Sequence, residues 1–465
     1  MLNLIIEVSQ YVMILLFAVY TIQCFVSQIG GLRQETRNLF YRWQRIIIYV
    51  IHMIASNLIY IVTDDFRMVV LYIAQVVLIT VIQCFYLFFY SKASKLLTNN
   101  LCMLLVIGFV IITRISPERA IKQTVIAATS AVLAFFVPMC IKRVGFVRKL
   151  YPLFAIVGLG CLLVVAVAGA ISYGAKLSIS IAGISFQPAE FVKISFIFFV
   201  SGMLYQNTSF SRVCVTTIIA AAHVLVLVFS RDLGAALIFF VVYLMMLVVS
   251  TKNLWYLLAG SGAGAAACVI AYQLFSHVRV RVLAWQKPLE VIDNEGYQIS
   301  QSLFAIGTGS WLGLGLYKGE PDKIPVVVQD FIFSAIAEEF GGIFAACLIL
   351  VCLSCLLLFL NIAKQIKDQF HKLLALGLGT LYGFQVFLTL GGVTNFIPST
   401  GVTLPLVSYG GSSILSSVII FAIIQGLYIL KQDEDLMDEK RTRKKTSRKA
   451  TSKAGAKTYS KKEKA

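Results

Sequence analysis

The stretch NFIPSTGVTLPLVSYGGSS, residues 395–413, lies between two long runs of Leu, Ile, Val and Phe. It consists largely of Ser, Thr, Tyr, Pro and Gly, and it contains no acid, base or His. Pro398 and Pro405 interrupt helical hydrogen bonding, and hydroxyl side chains can satisfy the freed backbone groups where such a segment lines a cavity. The stretch therefore predicts a broken helix end between two membrane spans. Whether the same hydroxyls also receive a polar substrate remains open at this point.

The composition around this stretch is that of a membrane protein. Of 465 residues, 59% are hydrophobic and 13% are charged, and the mean hydropathy is +0.85. Such values are too apolar for a soluble globular chain. Because a helix needs roughly 20 apolar residues to cross a bilayer, we predict an all-α, polytopic fold with about thirteen transmembrane helices. The predicted spans are 4–26, 46–62, 68–90, 101–114, 118–141, 152–172, 187–205, 213–230, 233–250, 254–276, 329–361, 369–393 and 403–430.

The distribution of Lys and Arg predicts the orientation in the cytoplasmic membrane. Basic residues collect after the first span, in the 142–149 loop, in the 364–372 loop and in the tail 431–465, and such segments stay in the cytoplasm. The tail is expected to be disordered and to contact anionic membrane lipid. Nucleic-acid binding is not expected, because the topology rule already explains the basic residues. An odd number of spans puts the N-terminus and the loop 277–328 outside, and the C-terminus inside.

Charged residues within or beside the apolar runs are candidate functional groups, because a charge in a membrane costs several kcal/mol. Glu190 and Lys193 are spaced i, i+3 on one helix face and can neutralise each other. Arg231 and Asp232 lie where one apolar run ends and the next begins. Glu338 lies near the start of a later span, and Asp330 precedes it. Ion pairs that only fix helix packing are an equally open interpretation. The Cys and His residues form no metal-ligand pattern, and no cofactor is evident.

Several motifs resemble the SEDS family of shape, elongation, division and sporulation proteins, the FtsW/RodA/SpoVE group. They are FQPAEFVKISF (186–196), RDLGAA (231–236), GYQISQSLFAIGTG (296–309), PVVVQDFIFSAIAEEFG (325–341) and PSTGVTLPLVSYGGSS (398–413). They fall in order over about residues 101–430, which corresponds to the ten-helix unit of the family. Residues 1–100 form three additional predicted helices, and 431–465 form the basic tail.

The resemblance implies a peptidoglycan glycosyltransferase that polymerises lipid II at the outer face of the cytoplasmic membrane. It also implies a partner, a class B penicillin-binding protein transpeptidase, and allows a divalent cation. A lipid II flippase and a catalytically silent scaffold are the alternatives. The residues expected to bind substrate are Gln187, Glu190, Lys193, Arg231, Asp232, Arg281, Gln298, Gln301, Ser302, Asp330, Glu338, Thr400, Thr403, Ser408, Tyr409 and Ser412.

The outward loop departs from the family at one position. The family pattern has Pro, two residues and then an Asp proposed as the catalytic base, and counting from Pro288 puts Val291 in that position. Glu290 lies one residue before it and Asp293 two residues after it. A general base takes the proton of the acceptor hydroxyl, so we predict Asp293, with Glu290 second, as the displaced base. A lost base is the alternative.

Overall fold

The computed structural model describes residues 2–141, 147–172, 175–181 and 184–462. Lys142 and Arg143 of the basic loop, and the last three residues of the tail, lie outside the described residues. Three helices come first: α1 (Leu2–Val26), α2 (Gln34–Thr63) and α3 (Phe66–Phe89). The next seven are α4 (Lys95–Ile115), α5 (Pro117–Ile141), α6 (Tyr151–Ala168), α7 (Ala189–Leu204), α8 (Phe210–Phe229), α9 (Leu233–Thr251) and α10 (Trp255–Leu274). The last five are α11 (Ser276–Gln286), α12 (Tyr297–Gly309), α13 (Ile332–Gln365), α14 (Gln369–Val393) and α15 (Gly411–Lys462).

The predicted multi-span helical architecture is confirmed. Within the described ranges, 12 helices are long and apolar enough to cross a membrane. The remaining predicted span, 187–205, forms α7, which has 16 residues and is shorter than a typical span. Between α6 and α7 the chain forms a small antiparallel sheet of β1 (Ala170–Ser172), β2 (Ala175–Ile181) and β3 (Ile184–Phe186), in the order β1-β2-β3. The sequence analysis did not predict this sheet.

The three N-terminal helices pack onto one side of the other helices. Helix α2 and helix α3 pack on α4, and α1 packs on α13. The apolar window of α4 is fully buried, as expected for a helix that is apolar on all faces. Polar contacts fix the position of α1: Tyr20 donates a hydrogen bond to Asn100 of α4 (2.8 Å), and Gln28 donates one to Ser354 of α13 (2.8 Å). The additional helices are therefore an integrated part of the bundle.

Two segments differ from the sequence-based expectation. The region 277–328, predicted as a loop, contains α11 and α12. Ala284 of α11 and Ile299 and Ala305 of α12 are buried, and α12 packs on α13. The tail, predicted to be disordered, continues α15 as far as Lys462. Its Lys, Arg, Glu and Ala residues favour helix, and it extends a helix that is already nucleated, so the costly first turn is not required.

Candidate functional site

A cavity of about 240 Å³ lies where α11 and the start of α12 face the turns around Asp232 and Thr400. We call it the α11 cavity. Seven of the residues predicted to bind substrate line it, although they come from six separate segments of the chain. They are Gln187, Arg231, Asp232, Arg281, Gln298, Asp330 and Thr400.

Helix α11 is held against the turn that follows α14. Trp285 donates its indole N–H to the carbonyl of Asn395 (3.1 Å), and the Asn395 amide donates to the carbonyl of Trp285 (3.1 Å). One turn earlier on the helix, Arg281 donates to the carbonyl of Ser399 (3.3 Å). Because Arg281 precedes Trp285 by four residues, both side chains lie on the same helix face. The reciprocal bonds therefore orient the guanidinium at the cavity wall.

The second arginine of the cavity lies at the turn between α8 and α9. Arg231 has φ of 63°, a left-handed conformation that non-glycine residues rarely adopt. Such strain collects at functional positions. Asp232 follows as the N-cap of α9, and its Oδ1 accepts a hydrogen bond from the Ala235 backbone N–H (3.0 Å). Burial raises the pKa of Asp232, and the bond from Ala235 acts in the opposite direction. One carboxylate oxygen of Asp232 is thus already engaged by the fold.

Asp330 lies just before α13 and differs from Asp232 in that no hydrogen bond holds its carboxyl group within the described residues. Burial raises the pKa of Asp330 to about 6, and the Arg281 guanidinium acts against this rise. Gly401 has φ of 74°, and a Cβ added there would lie 3.6 Å from Oδ2 of Asp330. This carboxyl group faces the turn that carries Thr400.

The stretch 395–413 divides into two parts. Ser399, Thr400 and Gly401 line the α11 cavity, and Oγ1 of Thr400 is buried without a partner among the described residues. Several polar groups of residues 402–413 form hydrogen bonds with other protein atoms, as the broken-helix interpretation predicts. Thr403 pairs with Ser413 (2.8 Å), Ser408 accepts from the Leu404 N–H (2.9 Å), the Tyr409 N–H donates to the carbonyl of Val328 (2.7 Å), and Ser412 accepts from the Gln187 N–H (2.9 Å).

Glu190 and Lys193 form a separate buried cluster and do not line the cavity. Lys193 Nζ lies 2.7 Å from Oε1 of Glu190 and 3.2 Å from Oε1 of Gln385. Ser416 donates to Oε2 of Glu190 (2.8 Å), and Gln385 donates to the carbonyl of Thr403 (3.1 Å). The predicted mutual neutralisation is present. Both charges are satisfied by protein atoms, so this cluster joins α7, α14 and α15 beneath the cavity.

The other predicted substrate contacts also lie elsewhere. Ser302 is fully buried, where it bonds Ser334 (2.7 Å) and the carbonyl of Val393 (2.9 Å). One carboxylate oxygen of Glu338 accepts the Glu320 backbone N–H (3.1 Å). Gln301 is half-buried on α12 and is not part of the cavity wall. These side chains fix the packing of α12 and α13.

Neither residue predicted as the catalytic base lines the α11 cavity. Asp293 is exposed, and Glu290, also exposed, pairs with Lys287 at 2.7 Å. The carboxylate of this segment that does line the cavity is Glu295. The segment folds back at Gly296, where a Cβ would lie 2.2 Å from the carbonyl of Pro288. This compact turn brings Glu295 to the cavity and leaves Asp293 on its outside.

Glu295, Ser399 and Trp285 also line the cavity, although they are not among the residues predicted from the sequence. Two of them had a local signal, since Glu295 directly precedes the GYQ motif and Ser399 precedes Thr400. Trp285 had no such signal, because its pairing with Asn395 spans 110 residues of sequence. No local sequence pattern predicts such a pairing.

The described residues contain no group of three or more His, Cys, Asp or Glu side chains placed to hold a metal ion. The carboxylates of the α11 cavity share it with two guanidinium groups, which repel a cation. The divalent cation that the resemblance allows stays an expectation from the sequence.

Comparisons with known proteins agree with this architecture. The chain is 38% identical over 267 residues to the peptidoglycan glycosyltransferase RodA of Mycobacterium tuberculosis, and the match covers 54% of this chain and 57% of that relative. It is 29% identical over 350 residues to the probable peptidoglycan glycosyltransferase FtsW of Pseudoalteromonas translucida, covering 70% of this chain and 86% of the relative. The chain thus spans less than two thirds of the RodA relative.

A solved structure has the same fold. It was described under the heading "Structural coordination of polymerization and crosslinking by a peptidoglycan synthase complex", and it superimposes with a TM-score of 0.64 at 23% identity, covering 73% of this chain and 98% of that chain. The model of the FtsW/RodA/SpoVE family, described as cell cycle protein, matches residues 94–432, from the start of α4 into α15. The chain therefore belongs to the FtsW/RodA/SpoVE family.

Proposed function

We propose that this chain is a peptidoglycan glycosyltransferase that polymerises lipid II at the outer face of the cytoplasmic membrane. The activity named for its RodA and FtsW relatives supports the proposal. The observation that carries it is the α11 cavity, which combines two arginines, an unpaired carboxyl group and uncharged hydroxyls at the ends of membrane helices. A lipid-linked sugar pyrophosphate requires this combination at the membrane surface.

The arginines suit the leaving group. As the bond between the anomeric carbon and the pyrophosphate breaks, negative charge builds on the departing oxygens. Guanidinium groups stabilise such charge with paired N–H donors. Arg281 is held in place by its bond to Ser399, so it does not need to reorganise during the reaction.

Asp330 suits the role of general base. The acceptor hydroxyl gives its proton to the Asp330 carboxylate, its oxygen forms the new bond to the anomeric carbon, and the pyrophosphate leaves with the electron pair of the broken bond. A base works best when its pKa lies near the operating pH, and the pKa of Asp330 is about 6. Asp293 and Glu290 stay predictions from the sequence, and Glu295 is a second cavity carboxylate.

The sugar contacts come from uncharged groups. Thr400 and Ser399 are at the cavity wall with Gln187 and Gln298. The Thr400 hydroxyl has no partner among the described residues, and a buried hydroxyl without a partner is unfavourable. A sugar hydroxyl that bonds it removes this penalty, which favours a carbohydrate ligand.

A membrane-anchored class B penicillin-binding protein is the proposed partner, since a structure with this fold belongs to a complex that couples polymerisation and crosslinking. The orientation is likewise proposed, with the N-terminus and the α11 cavity outside and the C-terminus inside. A cysteine placed at position 323 should react with an impermeant thiol reagent in intact cells, on a background in which the native exposed cysteines are replaced. Labelling only after permeabilisation would contradict this orientation.

One experiment tests the activity. The purified full chain is incubated with fluorescent lipid II, with and without a divalent cation and the cognate transpeptidase, and glycan chains are resolved on a gel. Polymer that requires this chain supports the proposal. Movement of lipid II across vesicle membranes without polymer would favour a flippase. Absence of both, with partner binding retained, would favour a scaffold.

A further inference from the structure

A second, smaller cavity lies where the N-terminal helices meet the family unit. It measures about 30 Å³ and is bounded by the start of α2, the end of α3 and the start of α4. Its wall includes Arg45 of α2, Gln83 and Tyr86 of α3, and Lys95 of α4. We call it the α3 pocket. Nothing in the proposed polymerisation uses it.

Two polar side chains in the α3 pocket are buried without a full set of partners. Gln83 is 5% exposed, and its amide nitrogen donates to no oxygen or nitrogen acceptor among the described residues. Its neighbour Cys102 offers only a thiol, which is a weak acceptor. Tyr86 is 7% exposed, and its hydroxyl makes no hydrogen bond within the described chain. Buried donors without acceptors are unfavourable, so the pocket is suited to a ligand that carries acceptor oxygens.

The cations of the pocket are not neutralised. Lys95 Nζ lies 3.0 Å from the amide oxygen of Asn38, and that contact leaves its charge uncompensated. Arg45 is half-buried and forms no ion pair with a described carboxylate. Two cations and two unused donors converge from three helices. Phosphate oxygens accept strong, charge-assisted hydrogen bonds from such groups.

The surroundings indicate a lipid. The pocket wall is largely apolar, with Leu87 and Ala93 beside the polar groups. Phe88 and Phe89, at the end of α3, are 81% and 73% exposed and face the lipid phase. In the next turn of the chain, Lys92 forms an ion pair with Asp433 of α15, so the pocket lies at the end of the bundle where the basic, cytoplasmic segments collect.

We propose that the α3 pocket binds the phosphate-bearing headgroup of an anionic phospholipid from the cytoplasmic leaflet. The phosphate accepts hydrogen bonds from Arg45, Lys95, Gln83 and Tyr86, and the acyl chains run along the exposed end of α3. Basic pockets between transmembrane helices on the cytoplasmic side bind such headgroups. The bound lipid joins the N-terminal helices to the family unit at their shared surface.

The test measures lipid retained by the purified full chain, with native mass spectrometry during titration with phosphatidylglycerol or phosphatidylcholine. We expect phosphatidylglycerol to bind at least about tenfold more tightly, because only its headgroup has a net negative charge. The double variant Arg45→Ala/Lys95→Ala should weaken that binding by about 30-fold. Arg33→Ala/Arg42→Ala is the matched control, since it removes the same charge from exposed positions outside the pocket, and it should change binding by less than about twofold.

A second pair of variants keeps the charge and tests the buried donors. Gln83→Leu/Tyr86→Phe should weaken phosphatidylglycerol binding by about fivefold, with unchanged helix content by circular dichroism. Equal losses of binding in Arg45→Ala/Lys95→Ala and in the control Arg33→Ala/Arg42→Ala would overturn the proposal in favour of diffuse electrostatic attraction. Equal binding of both lipids would reduce the pocket to an apolar groove. Displacement of the lipid by millimolar inorganic phosphate would identify a site for free phosphate.

Discussion

The α11 cavity and the Glu190–Lys193 cluster both contain charged residues that lie within or beside apolar runs of the sequence. In sequence alone the two groups look the same. In the cluster, each charged group has a protein partner. Lys193 and Ser416 donate hydrogen bonds to the Glu190 carboxylate, and Lys193 also donates to the Gln385 amide oxygen. In the cavity, the Thr400 hydroxyl has no partner in the described chain, and the Asp330 carboxyl is influenced by the Arg281 guanidinium without a hydrogen bond from a described residue.

This difference separates a structural role from a binding role. A buried charge that is fully paired contributes rigidity, and removing one partner exposes the cost of burying the other. A charge that faces an open cavity retains its hydrogen-bonding capacity for a ligand. Variants in the cluster should therefore affect folding first, and variants in the cavity should affect activity while the fold persists.

The largest expected effect is that of Asp330→Asn. Asn preserves the shape of the side chain but cannot take a proton at neutral pH, and the loss of a general base lowers rates on the order of 100- to 10,000-fold. Lipid II polymerisation by the purified variant measures this loss. Asp322→Asn, at an exposed position outside the cavity, is the control and should keep nearly full activity. Retained activity in Asp330→Asn would place the base elsewhere, with Glu295 tested next.

The cluster should respond in the opposite manner. Reversal of either charge alone, by Glu190→Lys or Lys193→Glu, should lower the free energy of unfolding by ~3–5 kcal/mol, because one buried charge loses its partner. The double reversal should recover part of that loss. Denaturant titration in detergent measures all three variants. Equal destabilisation by the single and double reversals would mean that Glu190 and Lys193 do not stabilise each other as a pair.

The next effect is a change in pH dependence. Because the raised pKa of Asp330 is about 6, the carboxylate is protonated below that pH, and kcat/KM should fall as the pH decreases through about 6. Arg281 lowers the pKa of Asp330. Its removal in Arg281→Gln should therefore shift the fall in kcat/KM to higher pH. An unchanged pH profile in this variant would mean that another group limits the rate.

The smallest effects are expected on the outside of the 288–296 turn. Glu290→Gln and Asp293→Asn alter exposed side chains that do not reach the α11 cavity. Each should change the polymerisation rate by less than about twofold, as is usual for surface substitutions. If Asp293 is the displaced base, as the sequence predicts, Asp293→Asn should instead abolish activity. A loss above 100-fold in Asp293→Asn would restore that prediction and reject Asp330 as the base.

Many residues of the α11 cavity could be predicted from local sequence. The predicted charged residues of the helices that lie outside the cavity were chosen for the same physical reason. Arg231, Asp232 and Asp330 stood out because charges beside apolar runs are rare and expensive. Glu190 stood out for the same reason, yet it lies in the paired cluster. The free-energy cost of a charge beside an apolar run indicates that the charge has a role. That cost does not show whether a protein atom or a ligand offsets it.

The choice among neighbouring carboxylates also could not be made from sequence. Glu290, Asp293 and Glu295 lie within six residues, and only the fold-back at Gly296 decides which of them faces the cavity. Asp293 and Glu295 are both exposed, yet only Glu295 reaches the cavity wall. Counting from Pro288 therefore could not assign the base.

The sequence by itself determined the membrane-spanning helical architecture, the family and the broken helix at 395–413, because hydropathy, helix length and the pattern of Pro and Gly act locally along the chain. Only the tertiary structure decided which polar groups meet. The pairing of Trp285 with Asn395, and the approach of Arg281 to Ser399, join segments more than 100 residues apart. Such contacts depend on how helices pack against one another, which no local pattern specifies.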